Sequence, residues 1–341
     1  MREQEPSRTA LSAATHRAVH QVIEGGKIFK DGLALAIIGL KPEEIRQEDE
    51  SQTSRCGMRM FIAARSRFAE TALVNAVERR DVRQIVILGA GLDTFAYRNR
   101  LTDDIRIFEV DHPATQAWKR RRLEDAGITC TNSLIYAPVD FENDTLLGGL
   151  KSVGFNPTQR TFFVWLGVVP YLTAAAIDGT LSVISSLPGG AEVVFDYSDP
   201  PATYSTELAA QHEARAKRVA AIGEPFLSYF NPPELHEKLR KRGFSEIEDM
   251  TGRRLVSNYL GSATRAGQSV VEDNEVRSGG GHVLFAATKF VKMHGAAFVY
   301  TANSRRGEHP FVCRRIVVFA GPRAARSCLC LAKFRPYSTK A

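Results

Sequence analysis

Cysteine is scarce in this 341-residue chain, an odd and scattered set of five, which excludes a disulfide-stapled framework. Long apolar runs are missing too. The longest uncharged one near the N-terminus, residues 32–40, falls well short of the ~20 residues that span a bilayer. The opening MREQEP has no apolar core behind a basic start, so no secretory signal is read there. A reducing cytoplasm is the expected compartment. Basic character is absent from most of the chain, despite a net charge of +7. Residues 292–340 hold ten Lys/Arg and one acid, Glu308, or +9, so the first 291 hold 45−10=35 bases against 38−1=37 acids, a net of −2. The body is not a nucleic-acid surface, and contact with RNA or anionic lipid is left to the tail.

What is present is an ordinary globular composition, 44% hydrophobic and 24% charged. The length suggests about two domains, although α/β folds of roughly 200–300 residues run as one. The informative stretch is residues 84–98, QIVILGAGLDTFAYR. Ile85-Val86-Ile87-Leu88 is a short β-branched run that reads as a strand buried on both faces. It breaks at Gly89-Ala90-Gly91, where the backbone must turn sharply, and a helix is expected from Leu92. A parallel strand, a glycine turn and a helix start form the nucleotide-binding corner of an open α/β sheet. The next strand, residues 105–111, ends on acid about 20 residues past the glycines, where a ribose hydroxyl partner belongs. Asp111 is the candidate, although Pro113 follows and an N-cap role is open. Glu109, two residues back and so on the same strand face, is the alternative.

Thr94 stands where a dinucleotide fingerprint has its third glycine, and Asp93 would face a pyrophosphate unfavourably. S-adenosylmethionine carries no phosphate and has a sulfonium and an amino group, so a nearby carboxylate is tolerable. An NAD(P)-dependent oxidoreductase is therefore the weaker alternative, and a silent binding protein that keeps the fold is the other.

Taken in order, LGAGLDT…YR, FEVDHPATQAWKRR, VDFE and FFVWLGVVPYLT resemble the leucine carboxyl methyltransferase-like family of class I methyltransferases over residues 9–290. The resemblance implies an α/β, Rossmann-like class I fold: a seven-stranded, mostly parallel sheet with helices on both faces and an N-terminal helical cover. It divides the chain into a cover, 1–80, a cofactor-binding core, 81–290, with an insertion near 198–231, and a basic extension, 291–341. It implies S-adenosylmethionine as cofactor, held by Arg65 at the methionine carboxylate, by Gly89, Ala90, Gly91 and Asp93 at the turn, by Asp111 or Glu109 at the ribose, and by Asp140 and Phe141 at adenine. Tyr171 and Phe226, the latter in a GEPF element, fall on the expected substrate side. One departure stands out: where the family carries a glutamate that helps to position the methionyl part, this chain has Leu166.

Periodicity predicts helices over 9–27, 59–78, 113–127, 175–187 and 232–242, and strands over 134–139, 161–166, 191–197, 245–250 and 282–288. The charged stretch 41–55 reads as loop or lid. Arg17 reads as a solvated helix position, with a place facing the methionine carboxylate as the alternative, and Arg98 as an anchor between elements. In the tail, Cys313, Cys328 and Cys330 with His309 could suggest zinc, but one spacer residue in Cys328-Leu329-Cys330 does not suit a zinc knuckle, and no metal is expected. The tail reads as a poorly ordered or non-native extension. No catalytic His or Cys pairing stands near the motifs, which agrees with a carboxylate acceptor, already a nucleophile, on a small molecule or a terminal carboxylate. A hydroxyl is the variant, and the oligomeric state is open.

Overall fold

The computed structural model describes residues 7–49, 56–102, 104–131, 133–140, 144–264 and 282–288. Phe141 and the whole tail lie outside them. Four helices open the chain: α1 (Arg8–Ile23), α2 (Ala34–Ile38), α3 (Pro42–Asp49) and α4 (Cys56–Arg79). Then follow β1 (Gln84–Leu88), α5 (Phe95–Arg98), β2 (Arg106–Asp111), α6 (Pro113–Asp125), β3 (Leu134–Pro138), α7 (Leu146–Ser152), β4 (Thr161–Trp165), α8 (Ala174–Ser186), β5 (Ala191–Ser198), α9 (Thr206–Ala221), α10 (Pro232–Lys241), β6 (Glu246–Thr251), α11 (Gly252–Thr264) and β7 (His282–Thr288).

The strands form one sheet in the order β3-β2-β1-β4-β5-β7-β6. The first five are parallel, and β7 runs antiparallel between β5 and β6. Chain progression reverses between β1 and β4, and ligands of such sheets bind outside the carboxyl ends of the strands at that switch point. Every residue of β1, β4 and β5 is buried, as expected of strands covered on both faces. Alternation sorts their side chains into two cores. Val86, Leu88, Phe108, Val110, Phe163, Trp165, Val193 and Phe195 pack with α7, α8 and α10. Ile85, Ile87, Ile107, Phe162, Val164 and Val194 pack with α4 and α11.

Three local expectations change. The stretch 41–55 carries a helix, α3, with Pro42 at its start and Glu43 and Glu44 in the first turn; Glu44 accepts a hydrogen bond from the Lys41 N–H at 2.6 Å, which favours helix initiation. The helix expected from Leu92 begins at Phe95 and lasts four residues. Asp93 N–H closes a turn on the Ala90 carbonyl at 2.7 Å and the Asp93 carboxylate takes the Phe95 N–H at 2.8 Å, so the chain makes a second turn before it can coil. Helix α11 was not anticipated at all. Among the described residues no helix is long and apolar enough to cross a membrane.

Candidate active site

Gly89 and Gly91 both have positive φ, 63° and 45°. A Cβ on Gly89 would lie 2.5 Å from Val168 of the loop after β4, and one on Gly91 would lie 3.0 Å from Ala10 of α1. Glycine is required here by backbone conformation and by two segments pressing on the turn. The N–H of Gly91 donates to Asp111 Oδ2 at 2.5 Å, and Oδ1 accepts from the His112 N–H at 2.7 Å. The N-cap of α6 is His112, through Nδ1 and the Ala114 N–H, so Asp111 is released from capping. Each of its oxygens retains acceptor capacity, and the residue is half-buried where β1 and β2 end. Burial pushes its carboxyl above the ordinary value, against the two backbone N–H groups that favour the anion.

Glu109 shares the strand face, as expected, but has a different fate. It is fully buried, with Lys119 Nζ 2.8 Å from Oε2 and the Tyr97 hydroxyl 3.1 Å away. The Tyr97 hydroxyl also meets that of Tyr136 at 2.9 Å. The Glu109 carboxylate is committed to an internal ion pair, whereas Asp111 at the end of β2 is only half-buried.

Arg17 is a correction. Rather than lying in solvent, it is buried, with Nη2 donating to the Leu92 carbonyl at 2.5 Å and Nε to Asp31 at 3.2 Å. Asp31 also accepts from Thr94 Oγ1 at 2.8 Å and pairs with Arg98, while Arg98 forms two hydrogen bonds to Glu70. The threonine in place of a third glycine therefore serves a buried carboxylate, and Arg98 anchors α5 to α4.

Arg65 forms an ion pair with Asp196 of β5, whose other oxygen accepts the Gly167 N–H at 2.5 Å. Arg65 Nε is buried and meets no hydrogen-bond partner among the described residues, so a donor remains for a ligand carboxylate. Leu166 packs at the margin of the core shared with α4. The acid near this loop comes from β5. Asp140 follows β3; its carbonyl accepts the Asp144 N–H at 2.6 Å, and its own N–H donates to the Asp144 carboxylate at 3.0 Å.

Tyr171 and Phe226 meet with ring centroids 5.3 Å apart. The strand of chain bearing Phe226 is strapped to the loop after β4, Leu227 N–H donating to the Pro170 carbonyl at 2.7 Å. Two functional candidates from α9 escaped the sequence reading. Arg215 lies over the Phe226 ring at 5.0 Å and acts electrostatically on Tyr171, and His212 packs 5.6 Å from Phe226. The available signal was spacing: Leu208, His212, Arg215 and Val219 share one helical stripe. Glu224 of the same insertion accepts the N–H groups of Arg8 and Thr9, at 3.2 and 3.1 Å, and so completes the capping of α1 begun by Ser7, which accepts the Ala10 N–H. Glu224→Ala is expected to lower stability by about 1 kcal/mol, the usual worth of a cap, read as a fall in Tm; an unchanged Tm would make the contact idle.

The leucine carboxyl methyltransferase family model matches residues 10–185, half of the chain. The chain belongs to that family. A Bacillus subtilis protein named "putative S-adenosyl-L-methionine-dependent methyltransferase YktD" is 33% identical over 276 residues, covering 74% of this chain and 90% of that protein. A Mycobacterium marinum protein of the same name without the suffix is 30% identical, covering 62% and 72%. A Thermobifida fusca structure described as a methyltransferase superposes with a TM-score of 0.50 at 16% identity, covering 75% of this chain and 93% of that one, and it supports the fold alone. As a member of this family the chain is an S-adenosylmethionine-dependent methyltransferase, which sets aside the oxidoreductase alternative. The residues present suit that cofactor, with an orphaned Arg65 donor for a carboxylate and an acid at the β2 end for a ribose.

Proposed function

We propose that this enzyme transfers methyl to oxygen, on a carboxylate or a hydroxyl of a small molecule or on a terminal carboxylate. In this reading Arg65 holds the methionine carboxylate, Gly89, Ala90, Gly91 and Asp93 shape the turn beneath the cofactor, and Asp111 accepts from the ribose hydroxyls. Asp140 takes the adenine amine, with Phe141, outside the described residues, beside it. Helices α1–α4 serve as cover, and residues 198–231 shape the acceptor side. The observation that carries the reading is Asp111, gripped by the glycine turn and still able to accept. Bound S-adenosylmethionine supplies a sulfonium methyl group, and its S–C electron pair stays on sulfur as the methyl leaves. The protein's part is to hold the acceptor oxygen opposite that bond and to exclude water.

Leu166 need not impair this site if Asp196 does the work of the missing acid. On that reading Leu166→Glu leaves S-adenosylmethionine affinity within about threefold, whereas Asp196→Asn weakens it at least about tenfold, or ~1.4 kcal/mol. A large gain in the first variant would show instead that position 166 limits binding. The reading as a whole is tested by calorimetric titration with S-adenosylmethionine and, separately, NADH. Micromolar binding of the first alone supports it, and binding of NADH alone overturns it.

A further inference from the structure

His212 is 5% exposed, and its Nε2 is buried with no hydrogen-bond partner among the described residues. An orphaned buried imidazole nitrogen forfeits about 1–3 kcal/mol, and native folds seldom leave one without a reason. Its neighbours are aromatic from three directions: Tyr204 before α9 at 5.4 Å, Tyr229 at 5.5 Å and Phe226 at 5.6 Å between ring centroids. Beyond Phe226 stand Tyr171 and then the Arg65–Asp196 pair that borders the proposed methionine end. The charged group acting on His212 is Arg215, one turn along the same helix; with burial, it holds the imidazole below its ordinary pKa. The phenols of Tyr204 and Tyr229 are pushed up by burial and stay neutral.

We propose that His212 is a catalytic base and that the acceptor is an aromatic hydroxyl compound, its ring against Phe226 and Tyr171 and its O–H donated to Nε2. This rests on the O-methyltransferase reading and narrows its acceptor class. The acceptor oxygen gives its proton to Nε2 as it bonds to the methyl carbon, and the imidazolium later returns that proton to solvent. Arg215 favours the developing phenolate. A carboxylate, ionised already, has no proton for Nε2 to take, and an aliphatic acceptor would leave an aromatic wall unused. The loop bearing Phe226 reaches solvent at Leu227, which is 52% exposed, and is tied to α1 through Glu224.

The test uses the full chain saturated with S-adenosylhomocysteine, whose own calorimetric binding is measured first. 4-Nitrophenol is then titrated by calorimetry and difference absorbance, with benzoate as competitor. The wild type is expected to bind 4-nitrophenol, with benzoate a poor competitor. His212→Gln and His212→Asn should weaken it at least about tenfold while keeping S-adenosylhomocysteine affinity, which also certifies the fold. With S-adenosylmethionine, His212→Gln should slow methylation of phenol by about 10²–10⁴-fold and of the more acidic 4-nitrophenol by much less. Absence of 4-nitrophenol binding, binding indifferent to both variants, or methylation of benzoate but not phenols would each overturn the proposal. Failure to bind S-adenosylhomocysteine would instead sink the cofactor assignment on which it stands.

Discussion

Asp111→Ala is expected to weaken S-adenosylmethionine binding by about 100-fold, or ~2.7 kcal/mol. Two ribose hydroxyls donating to an anion are worth about 1.5–3 kcal/mol each, and part of that is recovered by water in the variant. The free protein should lose only about 1 kcal/mol, because the Gly91 and His112 N–H groups that lose their acceptor are part-buried rather than sealed in the core. Asp111→Asn, which keeps the shape and loses the charge, should fall between. The pH dependence has a definite sign: burial raises this carboxyl, so affinity should fall as pH drops through the raised value, and that limb should flatten in Asp111→Asn. Calorimetry across pH reads both. An Asp111→Ala affinity within about threefold of wild type would remove this residue from the cofactor site.

Lys119→Met is expected to destabilise the fold by about 3–5 kcal/mol, the usual effect of stripping the partner from a buried charge. Lys119 is 1% exposed and Glu109 is fully buried, so no water reaches the orphaned carboxylate. Burial already pushes Glu109 above its ordinary value, and Lys119 is the main force opposing this. Without Lys119 the group should protonate on folding, so the deficit should shrink at low pH. The double variant Glu109→Gln/Lys119→Met should recover part of the loss, since no charge remains to be buried. Denaturant melts at neutral and acidic pH decide it. A single-variant loss below about 1 kcal/mol would mean that the pair is not the internal strut described here.

The sheet was largely legible because its signals are local. A β-branched run followed by two glycines announces a covered strand and its turn whatever lies elsewhere, and the two-residue period put Glu109 and Asp111 on one face. Helix α11 is hidden in the sequence because GRRLVSNYLGSAT holds two glycines, its capping Thr251 follows a strand directly, and its packing against α4 is a long-range matter. Arg17 departs from its expected place for a related reason. A cation on an amphipathic helix is ordinarily solvated, and only the approach of Asp31 and the Leu92 carbonyl, the latter 75 positions away, gives it a buried role.

By itself, then, the sequence determined the strand run, the glycine turn, the acid at the end of β2 and, through motif order, the family. Only the tertiary structure decided which acid serves which purpose: Asp111 on the turn, Glu109 against Lys119, and Asp196 beside Arg65 although 131 positions separate them. The same holds for His212, which has no motif of its own and gains significance from the rings that fold around it. Short-range pattern fixes backbone geometry, whereas a side chain's chemistry depends on burial and on partners that only chain folding brings within hydrogen-bonding distance.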